Sequence, residues 1–200
     1  MSRRSSTWAA LAVACAASWM AGCARSSELA NEAKTCACAE GDGKPVDQAL
    51  VAWLSKARSL HHLADLAETE GALDRAITPL EQLVAGTLPS GPPLEVNEVL
   101  SDTYARLAEL RTRQGDFERA DREIAVGLER APGPTYFRGH LLEVRGLIYE
   151  KLSQMLEQAG KSSEAKQARE KGIGASVEAV RIQDQVIKST LGDAGPNQRD

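Results

Sequence analysis

The chain has 200 residues, is rich in Ala, Leu, Glu and Arg, and is poor in aromatics, which fits one all-helical domain. Its 24 Lys and Arg stand against 28 Asp and Glu, and no basic patch or aromatic-interleaved basic stripe occurs, which argues against a nucleic-acid partner. The P-loop, Rossmann and metalloprotease-helix patterns are absent, so no catalytic residue, metal or cofactor is expected.

At the N-terminus Arg3 and Arg4 precede the apolar run Trp8 to Ala21, which is too short to span a bilayer and has signal-peptide proportions. The run closes on Met20-Ala21-Gly22-Cys23 and resembles a bacterial lipoprotein signal, although Met20 stands where such signals usually carry Leu. The resemblance implies that residues 1–22 are removed and that Cys23 is diacylated, which supplies enough buried methylenes for stable membrane attachment. Ala24 follows the cysteine where a retention Asp would stand, so the resemblance implies the outer membrane of a bacterial cell envelope. An ordinary secretory signal and a retained anchor are the alternatives, and each exports the chain.

Residues 23–44 follow as a tether of Ala, Ser, Glu, Lys and Gly that cannot form a core. Cys36 and Cys38 lie within it, and export exposes them to oxidation. A local disulfide between them, free or intermolecular thiols, and redox chemistry all stay open. A lone C-x-C with no His nearby offers too few ligands for zinc.

The folded part is expected over residues 45–191, with residues 192–200 frayed. Leu50, Trp53, Leu54, Leu60, Leu63, Ala64 and Ala67 predict a long first helix to about Glu70. Gly71 breaks it, and Leu73, Ala76, Leu80 and Leu83 predict a second helix that Pro79 should kink. The next pair is the clearest. Leu100, Tyr104, Leu107 and Leu110 share one face, the turn Gln114-Gly115-Asp116 follows, and Phe117, Ala120, Ile124 and Leu128 share another, with Pro132 as the stop.

This second pair resembles a tetratricopeptide repeat, with Tyr104 as the first aromatic, Leu107 as the Leu, and Ala120, Ile124 and Pro132 as the second-helix set. Ala108 replaces the family's Gly and keeps the crossing small, while Arg111 replaces its second aromatic and suggests a more open edge. Setting Gly71 on Gly115 aligns Leu63 with Leu107 and Ala76 with Ala120; setting Gly160 on Gly115 aligns Tyr149 with Tyr104 and Ala165 with Ala120. In the third unit Leu141, Val144, Ile148, Leu152 and Met155 predict the first helix, about Tyr136 to Ala159. Ala165, Ala168, Ile173, Val177, Val180 and Ile187 predict the second, weakened at Gly172 and Gly174, with the segment after Gly174 closing the stack as a cap. The turn glycines lie 44 and 45 residues apart, beyond the family's usual period, so the first helices should be elongated. The expected fold is therefore all-α, an α-α superhelix of about three such hairpins.

In the family the first helices line a groove that binds extended or helical peptides. The resemblance places Arg58, His61, Asp65 and Glu68 in that groove from the first unit, Asp102, Ala105, Glu109 and Thr112 from the second, and Leu147, Glu150, Gln154 and Glu157 from the third. Six of these twelve are carboxylates, which favours a basic partner segment through long-range steering. The same residues also fit a merely solvated helix face. His61, Asp65 and Glu68 share a face, but a surface His-Asp pair accounts for them better than a metal site. The leading expectation is a non-catalytic, membrane-tethered interaction protein, the rival a thiol-redox lipoprotein working through Cys36 and Cys38.

Overall fold

The computed structural model describes residues 47–192. The signal, Cys23, the tether with Cys36 and Cys38, and residues 193–200 lie outside the described residues. Within them the chain is all-helical: α1 Gln48–Thr69, α2 Leu73–Val84, α3 Leu94–Arg113, α4 Phe117–Arg130, α5 Tyr136–Gln158 and α6 Ser162–Gly192. The first helix of each hairpin is long, at 22, 20 and 23 residues, and α6 runs 31 residues without a break.

Local chemistry sets the helix ends. Asp47 accepts from the Ala49 and Leu50 amides, Asp116 from Arg119 and Thr135 from Arg138, each satisfying donors that the first turn leaves unpaired. The three hairpin turns share one geometry. Gly71, Gly115 and Gly160 adopt φ of 73°, 81° and 74°, where a Cβ would be strained. After each glycine an amide reaches back to close the turn: Ala72 N–H to Ala67 O, Asp116 N–H to Arg111 O and Lys161 N–H to Leu156 O, all at 2.9 Å. This is the paired-bond helix stop in which a left-handed residue lets the last carbonyls find donors. Three turns built alike make the hairpins structural copies at their hinges.

Packing follows chain order. α1 pairs with α2, α3 with α4 and α5 with α6, while α3 packs on both helices of the hairpin before it and α5 does the same. Among the described residues, no helix touches one more distant along the chain. Leu80, Leu83, Leu100, Leu107, Leu110, Ile124, Leu141 and Ile148 are almost fully buried along this path. Each contributes about 1.5–3 kcal/mol relative to exposure. α2 continues through Pro79, which is itself buried in the same core.

The third hairpin closes differently. Gly139, Gly146 and Ser153 recur every seven residues on α5, and Ala165, Gly172 and Ala179 do so on α6; all six are buried. A Cβ on Gly172 would lie 3.2 Å from the Gly146 carbonyl oxygen and 3.3 Å from Tyr149 Cβ. Gly172, expected to weaken α6, therefore lets the two helices approach, and the helix runs on through it. Gly174 has nothing within 4 Å and has no such role.

Several expected core residues lie at the surface. Ile173, Val177, Val180 and Ile187 are 53–64% exposed, because the small-residue seam is the face of α6 that meets α5. That apolar outer face also departs from the polar surface expected of a terminal cap. On α5, Met155 is exposed and its neighbour Leu156 is buried against Ala165 and Ala168. Leu63 is 53% exposed whereas its counterpart Leu107 is fully buried, since α3 has a hairpin packed before it and α1 has none among the described residues. Arg111 does not open an edge: it is buried, and its guanidinium bridges back to Glu81 of the first hairpin.

Candidate functional site

α1, α3 and α5 lie side by side, and the valleys between them, together with the one between α5 and α6, hold three clefts. Arg58, His61 and Asp102 line the first, about 330 Å³, over an apolar floor of Leu54, Val99 and Phe137. Glu68 and Glu109 line the second, about 250 Å³, with Leu147, Lys151 and Arg106. Glu150 and Gln154 line the third, about 490 Å³, where the Gln154 amide donates to the Glu150 carboxylate at 3.1 Å. Nine of the twelve groove residues named from the sequence thus fall on these clefts, while Ala105 is fully buried in the core and faces no groove. Asp65 and Glu157 are instead held in ion pairs, with Arg106 and with Arg169.

Polar chemistry ties α1 to α3. His61 Nε2 lies 2.9 Å from Thr103 Oγ1, and the Thr103 hydroxyl itself donates to the Val99 carbonyl at 2.7 Å. The Thr103 oxygen can accept a hydrogen bond from the imidazole, so the neutral ring with its proton on Nε2 fits this site. Burial lowers the His61 pKa, an effect opposed by the Asp102 carboxylate, reinforced by Arg106 and opposed again by Asp65. Arg106 bridges both Asp65 and Glu68, and Arg113 reaches Glu68 from about two turns further along α3. The groove residues were read from the sequence without these two arginines, so its acidic excess is smaller than that set suggests. Arg106 could have been found from its spacing, one turn after Asp102 and one before Glu109 on the same helix.

Of the six groove acids named from the sequence, Asp102, Glu109 and Glu150 have no ion-pair partner among the described residues. Burial raises the Glu109 pKa, with His140 and Arg106 opposing. Burial thus disfavours its charged form, and the nearby His140 and Arg106 offset this only in part.

No group of three or more His, Cys, Asp or Glu side chains able to hold a metal ion occurs among the described residues. No described helix is long and apolar enough to cross a membrane. Arg145 donates to Asp121 at 2.8 Å and the Tyr149 hydroxyl donates to the same carboxylate at 3.0 Å, a second polar tie between hairpins that sequence spacing did not reveal. No family model and no curated protein matches the chain.

Proposed function

We propose that this chain is a tetratricopeptide-like interaction module, lipid-anchored through Cys23 in a bacterial cell envelope and in its outer membrane, that holds a segment of another protein against its first-helix face. The reading is non-catalytic: the module brings a partner to a membrane surface. The observation that carries it is the pair of clefts along α1, α3 and α5, each with an apolar floor and a carboxylate at its rim. Clefts of this kind suit a peptide whose apolar side chains enter the floors while its cations meet the acids. The repeated glycine turns and strictly sequential packing support the repeat assignment, because each hairpin covers the apolar side of the one before it.

Asp102, Glu109 and Glu150 favour a basic segment, and their effect should fall mainly on the association rate. The test uses photo-crosslinking amino acids placed singly at Asp102 and Glu150, and at Glu118 and Arg122 on α4, in the native envelope. Partner adducts are expected from the first pair only. Adducts confined to α4 would move the binding surface to the other side of the stack and end this proposal.

A further inference from the structure

The interface that joins successive hairpins occurs twice among the described residues, and no described helix fills it a third time. Glycine-to-glycine alignment of the hinges puts Gly146, Ser153, Arg169 and Gly172 where the second hairpin has Ser101, Ala108, Ile124 and Gly127. The latter four are buried, and Leu141 of the incoming α5 sits within 2.6 Å of where a Gly127 Cβ would be. In the last hairpin the matching positions line the cleft of about 490 Å³, and no described helix covers it. Ile173 shows the difference: it is 58% exposed, while its counterpart Leu128 is half-buried against Leu142 of α5. Ser153, at the cleft, is 2% exposed, and its hydroxyl has no hydrogen-bond partner.

The outer face of α6 has the periodicity of a helix-packing seam. Ile173, Val177, Val180, Ile187 and Leu191 are all more than half exposed and fall on one face at spacings of three, four and seven. That narrow seam is the pattern by which one helix receives another along its length.

The chemistry of the filled interfaces says what kind of helix fits. When α3 enters against the first hairpin it brings Arg106 and Arg113 to Glu68 and Arg111 to Glu81. When α5 enters against the second it brings Arg145 to Asp121. The positions of Glu68 and Glu81 are occupied in the last hairpin by Glu157 and Glu170. Both are exposed; Glu157 is paired with Arg169 of its own hairpin, and Glu170 has no ion-pair partner among the described residues. We propose that the open face of the last hairpin receives an arginine-bearing amphipathic helix of another protein, laid over the cleft between α5 and α6 and along Ile173, Val177 and Val180. A second copy of this chain stacked head to tail does not supply that chemistry. Its α1 carries His62, Ala67 and Thr69 where α3 carries Arg106, Arg111 and Arg113.

The full chain is titrated with a labelled synthetic peptide of the α3 sequence, Leu94–Arg113, and with the same peptide carrying Arg106→Glu, Arg111→Glu and Arg113→Glu. The arginine peptide should bind at least about tenfold more tightly than its acidic version. Val177→Asp and, separately, Ile173→Ser in the protein should each weaken it by about tenfold while leaving the melting temperature unchanged, since both side chains face solvent. Glu170→Gln should reduce the preference for the arginine peptide. Equal binding of the two peptides, no binding of either, or binding insensitive to Val177→Asp and Ile173→Ser overturns the proposal. So does a dimer of the free chain that dissolves on Val177→Asp, which gives the face to a second copy. Flotation with anionic vesicles that is lost in the same variant gives it to a lipid surface, with the same result.

Discussion

His61 shows how one side chain reports on the packing around it. Its folded-state pKa is depressed, first by burial, so the folded protein binds that proton less readily than the unfolded chain does. The stability it contributes is then fully present above its ordinary value of 6.5 and is lost as pH falls from there through the folded value. Melting temperature should therefore fall as pH drops below 6.5, and His61→Asn should flatten that fall. Identical pH profiles for the two proteins would remove His61 as the cause. Arg111 and Glu81 make the second residue-scale case, since Arg111 is buried with its Nε unpaired while Glu81 stays partly solvated. Glu81→Ala leaves a buried cation uncompensated and should cost about 1–3 kcal/mol. Arg111→Met added to it should restore most of that loss, because an apolar side chain of similar volume needs no partner. A double variant no more stable than Glu81→Ala alone would show that the loss comes from something other than the stranded charge.

Among the elements, α6 carries two opposed faces with different rules. The inner one is built of Ala and Gly so that α5 can approach, and the outer one of Ile, Val and Leu. Gly172→Ala gains about 1 kcal/mol of helix propensity but pushes a methyl against the backbone of α5, where overpacking costs about 1–3 kcal/mol. The backbone cannot yield as a side-chain end can, so a net loss is expected. Gly174→Ala meets open space and should gain about 0.5–1 kcal/mol. Chemical denaturation of the pair checks both signs, and equal effects would mean that the seam is not tightly packed at Gly172.

At the scale of the whole molecule, stability and function divide along the stack. Each described hairpin leans only on its neighbours, so the described residues behave as a short one-dimensional array, with no described helix beyond either end. The proposed anchor, Cys23, lies outside the described residues. Cys23→Ser should release the protein from the membrane fraction into the soluble periplasmic one, read by fractionation with an antibody to the helical part. A variant that stays with the membrane after signal cleavage would assign the anchorage to something other than acylation.

The helices, their caps and their hinges were legible in the sequence because their causes are local. Asp47 and Asp116 precede apolar-periodic runs, and Gly71, Gly115 and Gly160 occupy the one kind of turn that wants a left-handed residue. Most of the first-helix surface was legible too, since a repeat frame carries side-chain direction from one unit to the next. What the sequence could not decide is which of two apolar faces a helix buries. On α6, Ile, Val and Leu outweigh Ala and Gly on any hydrophobicity scale, yet the small residues face inward, because close approach to α5 depends on shape, and the shape needs Gly139 and Gly146 opposite. The partners of Arg106, Arg111 and Arg113 were hidden for a related reason. They lie 30 to 45 residues away in the chain, on the preceding hairpin, where only stacking brings a carboxylate within reach.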